Sequence, residues 1–114
     1  MRWSKFKLSF FICLLSVTSV FALTYQIKTQ RVNVTTAATK LPTTPLVGRE
    51  YLQVQNIGTV TIYLGDSTVT ANTAPTGGLQ ILPYAVWRDE YDHTVDVYGI
   101  IASGTSPCII EEGK

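Results

Sequence analysis

After Leu23, apolar residues recur at alternate positions in short runs, and nowhere do they hold the i, i+3, i+4, i+7 spacing of an amphipathic helix. Val60, Ile62 and Leu64 alternate with Thr59, Thr61 and Tyr63, and Val95 and Val97 alternate with Asp96 and Tyr98. Strand side chains point to opposite faces with a period of two, so one set in each run is expected to face a core. β-Branched and aromatic residues fill the runs, and turn residues separate them. The pattern predicts strands at residues 31–36, 50–56, 59–64, 80–88, 94–102 and 107–111. Asn56-Ile57-Gly58 reads as a tight hairpin that needs a residue tolerant of positive φ. Gly65-Asp66-Ser67, Thr76-Gly77-Gly78 and Ser103-Gly104-Thr105 read as further turns. The fold class that follows is all-β, a small antiparallel β-sandwich of jelly-roll-like form.

The first 22 residues have a different pattern. Arg2, Lys5 and Lys7 form a basic start, residues 8–21 (LSFFICLLSVTSVF) form an apolar stretch, and Val20 and Ala22 precede Leu23 as the small residues of a signal-peptidase site. The apolar stretch 8–23 is 16 residues long, shorter than the ~20 that a spanning helix needs. A cleaved signal peptide is the first expectation. The alternatives are an uncleaved signal anchor, a hydrophobic helix with its basic end in the cytoplasm, and a buried core helix. Residues 23–45 read as an extended Thr/Pro-rich arm, too poor in apolar surface to pack a helix. Residues 46–114 read as the sandwich domain, with a first strand at 31–36 where the compact part begins.

Composition narrows the function classes. A chain of 114 residues accommodates one domain and a leader. The net charge of +1 conceals an asymmetry: residues 1–40 hold six basic residues and no acid, whereas residues 41–114 hold three basic residues and all eight acids, a formal charge of −5. An acidic body without a Lys/Arg stripe is a poor partner for phosphate backbones, so nucleic-acid binding is not expected. Cys13 in the leader and Cys108 in the last predicted strand would occupy different environments, which argues against a disulfide. Cys108 reads as a small buried hydrophobe. With one histidine and no C-x-x-C, a structural zinc site is not expected either.

Several residues invite chemistry and carry plainer readings. His93, in Asp89-Glu90-Tyr91-Asp92-His93, could serve as a base or metal ligand, yet Asp and His are ordinary turn residues and no nucleophile accompanies them. Asp89, Glu90 and Asp92 lack the spaced oxygen ligands and glycine of a calcium loop. Asp66 reads as a turn residue capping nearby backbone amides. There is no glycine-rich phosphate loop and no Ser or Cys paired with the histidine. No catalytic residue, metal site, cofactor or small-molecule substrate is therefore expected, and the protein is not read as an enzyme. Tyr51, Tyr63, Tyr84, Trp87, Tyr91 and Tyr98 could form a sugar-stacking platform, but core filling or subunit contact is the better reading in so small a sandwich. Asn33-Val34-Thr35 matches an N-glycosylation acceptor and carries meaning only in a secreted eukaryotic protein.

Four segments share a further pattern: Ala38-Thr39-Lys40-Leu41-Pro42-Thr43-Thr44-Pro45-Leu46-Val47-Gly48-Arg49; Leu52-Gln53-Val54-Gln55-Asn56-Ile57-Gly58-Thr59; Ile62-Tyr63-Leu64-Gly65-Asp66-Ser67-Thr68-Val69-Thr70; and the exit Val97-Tyr98-Gly99-Ile100-Ile101-Ala102-Ser103-Gly104-Thr105. In these the chain resembles small β-domains of tailed and membrane-containing bacteriophage virions, with an added leader. The resemblance implies a structural role in building or decorating a particle, as a capsid-associated, vertex or decoration protein. Its partners would be other copies of itself and other virion proteins, with a lipid membrane contacted through residues 8–23 and no nucleic acid. Docking would proceed by strand addition, carried by residues 31–46 with Arg31, Val32, Val34, Leu41 and Leu46 as interface candidates, and with Tyr63, Trp87 and Tyr98 as aromatic anchors. The leader is unusual for such domains and favours a membrane-containing virion. The alternative is an exported cell-surface or periplasmic binding module for glycan or protein, which a signal peptide supports directly.

Overall fold

The computed structural model describes residues 25–72, 74–75 and 77–114, and the leader expectations lie outside that range. Eight strands follow in order: β1 (Ile27–Val34), β2 (Thr39–Leu41), β3 (Tyr51–Asn56), β4 (Ile62–Gly65), β5 (Leu79–Ile81), β6 (Val86–Asp89), β7 (Val97–Ile100) and β8 (Ser106–Gly113). They form two four-stranded antiparallel sheets, β1-β8-β3-β6 and β2-β7-β4-β5, and the described residues contain no helix. Each strand pairs with its counterpart from the other end of the chain: β1 with β8, β2 with β7, β3 with β6 and β4 with β5. The body is thus one long eight-strand hairpin, bent at the β4–β5 connection and wound on itself.

Alternation within the strands builds the core. Leu52, Val54 and Asn56 of β3 point inward between half-exposed Tyr51, Gln53 and Gln55, and Ser106, Cys108, Ile110 and Glu112 of β8 do the same. Val32, Val34, Leu52, Val54, Cys108 and Ile110 of the first sheet meet Leu41, Ile62, Leu64, Ile81 and Val97 of the second in one apolar cluster. Full burial of each such aliphatic side chain contributes about 1.5–3 kcal/mol, which makes this shared interior the main source of stability.

Five sequence expectations change. The first strand begins at Ile27 rather than residue 31, because its extra turn of ladder pairs with the end of β8, from Ile27 opposite Gly113 onward. The Thr/Pro-rich arm is woven into the body: Thr39–Leu41 forms β2 against β7, Leu41 is 1% exposed and Leu46 is buried. Long-range pairing supplies the stability that local composition lacks. The run 80–88 is divided into β5 and β6, which belong to different sheets. Pro83 sits in the second position of a turn closed by Ala85 N–H donating to Leu82 O at 3.0 Å, and Tyr84 in the third position has φ +64°. That geometry is a type II turn, for which Pro is favoured in the second position, and it carries the chain from one sheet to the other.

The expected hairpin at Asn56-Ile57-Gly58 is an arch between sheets, since β3 pairs with β8 and β6 rather than with β4. Gly58 does not use positive φ there. Its lack of a side chain matters for space, because a Cβ would collide with Ser106 Oγ. Asn56 holds the arch with a fully buried side chain: its Nδ2 donates to Val60 O (2.7 Å) and Ile81 O (3.0 Å), and its Oδ1 accepts from Gly58 N–H (3.0 Å). Its backbone also accepts from Tyr84 N–H (2.7 Å) and donates to Ala85 O (3.0 Å), so one residue fixes both inter-sheet crossings. The turn at Gly104 does use positive φ (+76°), as a glycine turn requires. Val95, expected inside with Val97, is 40% exposed because it precedes β7 in the loop.

Candidate functional site

Three features stand out among the described residues, the first two at the end of the domain where the 90–96 loop leaves β6. The first is a buried ion pair. Arg49 and Glu112 side chains are both 1% exposed, with Nη1 2.9 Å from Oε2. Arg49 Nε donates to Tyr91 O (3.0 Å) and Nη2 to Val95 O (2.6 Å), and Glu112 Oε2 also accepts from Leu46 N–H (2.9 Å). A buried charge needs a partner and further hydrogen bonds to offset desolvation, and both groups have them. The result fixes the loop 90–96, which joins β6 to β7, onto β8 and the 46–49 segment. His93 belongs to the same clamp, since its Nδ1 accepts from Gly48 N–H at 3.1 Å. Arg49 is the residue that sequence reasoning missed; a lone Arg before a strand gave no signal that it is buried.

The clamped loop forms one wall of the second feature, an open cleft of about 400 Å³. Leu64, Leu79 and Val97 line its apolar part, Trp87 and Tyr91 its aromatic part, and Asp66, Asp89 and Asp96 its acidic part. The Trp87 and Tyr91 rings lie 5.8 Å apart, tilted by 51°. Asp96 pairs with Lys40 at 3.3 Å. Asp66 accepts from Thr68 N–H (2.8 Å) and Thr68 Oγ1 (2.6 Å), and these bonds hold its carboxyl below the usual range. Asp92 is lowered by the same bonds from Thr94, so both are turn-capping carboxylates. Among the described residues, no group of three or more His, Cys, Asp or Glu side chains could hold a metal ion.

The third feature is an exposed edge. β5 and β6 are the last strands of their sheets, and along them and their connection Leu79, Leu82, Tyr84 and Val86 are 53–69% exposed. Large apolar side chains in such a row mark interaction surfaces more often than isolated ones do. Arg88 on this edge lies over the Tyr51 ring, 4.0 Å from its centre. Tyr51 donates to Glu111 Oε1 at 2.8 Å, and that bond, with the charge of Glu111, raises its pKa.

The expected interface residues are dispersed over the fold. Val32, Val34, Leu41 and Leu46 are buried in the domain's own core, so their side chains are not available for docking; the docking expectation at these four is corrected. They serve to close the sandwich on itself. Arg31 is exposed on β1, Tyr63 and Tyr98 are half-buried on β4 and β7, and Trp87 is half-buried against the core beside the cleft. Cys108 is a free, fully buried thiol donating to Val32 O at 3.4 Å, and burial pushes its pKa up to about 12. Among the described residues no helix is long and apolar enough to cross a membrane. Compared with protein-family models, curated proteins and solved structures, the chain matches none.

Proposed function

We propose that this chain is a non-enzymatic structural component of a bacteriophage virion, a jelly-roll domain that acts by docking on copies of itself and on other virion proteins. The observation that carries the reading is topological. Strands pairing first with last across two four-stranded sheets form the wound hairpin of a jelly roll, an architecture that recurs in viral capsid domains as well as in lectins and cupins. The exposed row Leu79, Leu82, Tyr84 and Val86 supplies a docking surface of the kind assembly needs. Residues 8–23 would anchor the domain to a virion membrane, or be removed on export.

Intact-mass analysis of purified virus particles, host membranes and medium tests this. The chain in washed particles supports the reading; its recovery from medium or periplasm with none in particles overturns it. A second reading, an exported glycan- or protein-binding module, rests on the cleft, where Trp87 and Tyr91 offer flat apolar faces beside carboxylates that accept hydrogen bonds. Binding of a glycan lost on Trp87→Ala, in a chain absent from particles, would favour it.

A further inference from the structure

The sheet β1-β8-β3-β6 has two open edges, and they are complementary. Gln26 and Lys114 exchange both backbone hydrogen bonds, at 2.8 and 2.9 Å. Antiparallel pairs alternate, so the residues bonded to β8 are Lys28, Gln30 and Val32, while the N–H and C=O groups of Thr29 and Arg31 point off the edge. On the opposite side Asn56 N–H donates to Ala85 O, so Trp87 and Asp89 bond to β3 and the backbone of Val86 and Arg88 points outward.

Side chains impose the same parity. Lys28 and Gln30 share the inward face of β1 with core residues Val32 and Val34, and Asp89 shares the inward face of β6 with Trp87. If β6 of one copy meets β1 of the next, edge-pointing Val86 and Arg88 must oppose edge-pointing Thr29 and Arg31, and inward residues then oppose inward residues automatically. Shifts of two residues separate the registers that satisfy both. One sets Arg88 opposite Arg31, a like-charge pair; another sets Lys28 opposite Trp87. The register between them sets Asp89 opposite Lys28, Arg88 opposite Thr29 and Val86 opposite Arg31.

Direction agrees as well. Four alternating strands make β6 antiparallel to β1 within the sheet. A second copy carried forward without being flipped therefore presents its β1 antiparallel to β6. Charge favours this head-to-tail arrangement over pairing of like edges: β1 carries Lys28 and Arg31 and no acid, whereas β6 and the residues after it carry Asp89, Glu90 and Asp92 against Arg88 alone.

We propose that copies of this chain assemble head to tail through this sheet, β6 of one copy pairing antiparallel with β1 of the next in the register that sets Asp89 opposite Lys28. Resting on the assembly reading above, the inference names the partner as a second copy and the contact as heterologous, one that closes into a ring or extends as a filament. The opposed outcome is equally concrete, because inward-pointing charges on edge strands also serve to prevent pairing.

Sedimentation velocity of the full-length chain in a non-ionic detergent, at low and high salt, separates them. The expected result is a species larger than a dimer that dissociates as salt rises. Lys28→Glu and Asp89→Lys should each weaken association by about tenfold, and the double variant should restore it. A wild-type chain that stays monomeric or stops at a dimer overturns the proposal, as does a double variant weaker than either single one. Should the charge variants fail to fold, Thr29→Cys and Arg88→Cys combined in one chain should give an oxidised ladder of covalent multimers beyond that of wild type and of either substitution alone, and no such ladder overturns it. Particle composition tests the virion reading independently: a head-to-tail multimer absent from particles refutes only that reading, and a monomer present in particles refutes only this one.

Discussion

Replacing Arg49 with Met removes the cation from the buried pair and keeps much of the side chain's volume. Glu112 would then retain a single hydrogen bond, from Leu46 N–H, at 1% exposure, and Tyr91 O and Val95 O would lose their donors. Breaking a buried ion pair from one side costs about 3–5 kcal/mol. A domain of this size holds about 5–13 kcal/mol in total, so the loss is a large fraction of the whole. With a urea m-value of about 1.5 kcal/mol/M, the midpoint should fall by about 2–3 M. Trp87, packed against the core beside this loop, reports the transition by fluorescence. The double change Arg49→Met with Glu112→Gln removes the unpaired carboxylate while keeping an acceptor for Leu46 N–H, so it should be more stable than Arg49→Met alone. A midpoint shift below about 0.5 M for the single variant, or a double variant whose loss equals the sum of its parts, would refute the view that an uncompensated buried charge dominates.

Asn56→Ala would orphan Gly58 N–H and Ile81 O in the interior and leave part-buried Val60 O without this donor; a loss of about 2–4 kcal/mol in urea unfolding is expected, and one below about 1 kcal/mol would contradict the role of Asn56 at the crossings. Cys108, with its thiol held up to about 12, should resist alkylation at pH 8 in the folded chain and react on unfolding. The carboxyls of Asp66 and Asp92 lie below their ordinary value of 3.8 in the folded state, so their contribution is present above about pH 4 and is lost as pH falls through the folded values. Combining Asp66→Asn with Asp92→Asn should flatten the acid limb of a stability–pH curve, and an unchanged limb would exclude these turns as its source.

Alternation along the chain was sufficient to name the fold class and to find β3, β4, β7 and β8 near their true positions, because the period of two is a local property of an extended backbone. Turn chemistry was equally local at Asp66 and Gly104. Which strands pair is not local. The run 80–88 looked continuous until Pro83 and Tyr84 were seen to pass the chain between sheets, and Asn56-Ile57-Gly58 had the composition of a hairpin while spanning two layers. Thr39–Leu41 read as an arm because its own residues are Thr, Lys and Leu; β7, more than fifty positions away, makes it a strand. The same distance hid the buried ion pair and the exposed apolar row. Arg49, Tyr91, Val95 and Glu112 are scattered along the sequence, and Leu79, Tyr84 and Val86 are apolar residues that any strand would carry. Pattern alone settled that this chain forms a sandwich. Only the winding of first strand onto last decided which charges are buried as a pair, which apolar residues are left outside, and that one free edge of a sheet is basic while the other runs into an acidic loop.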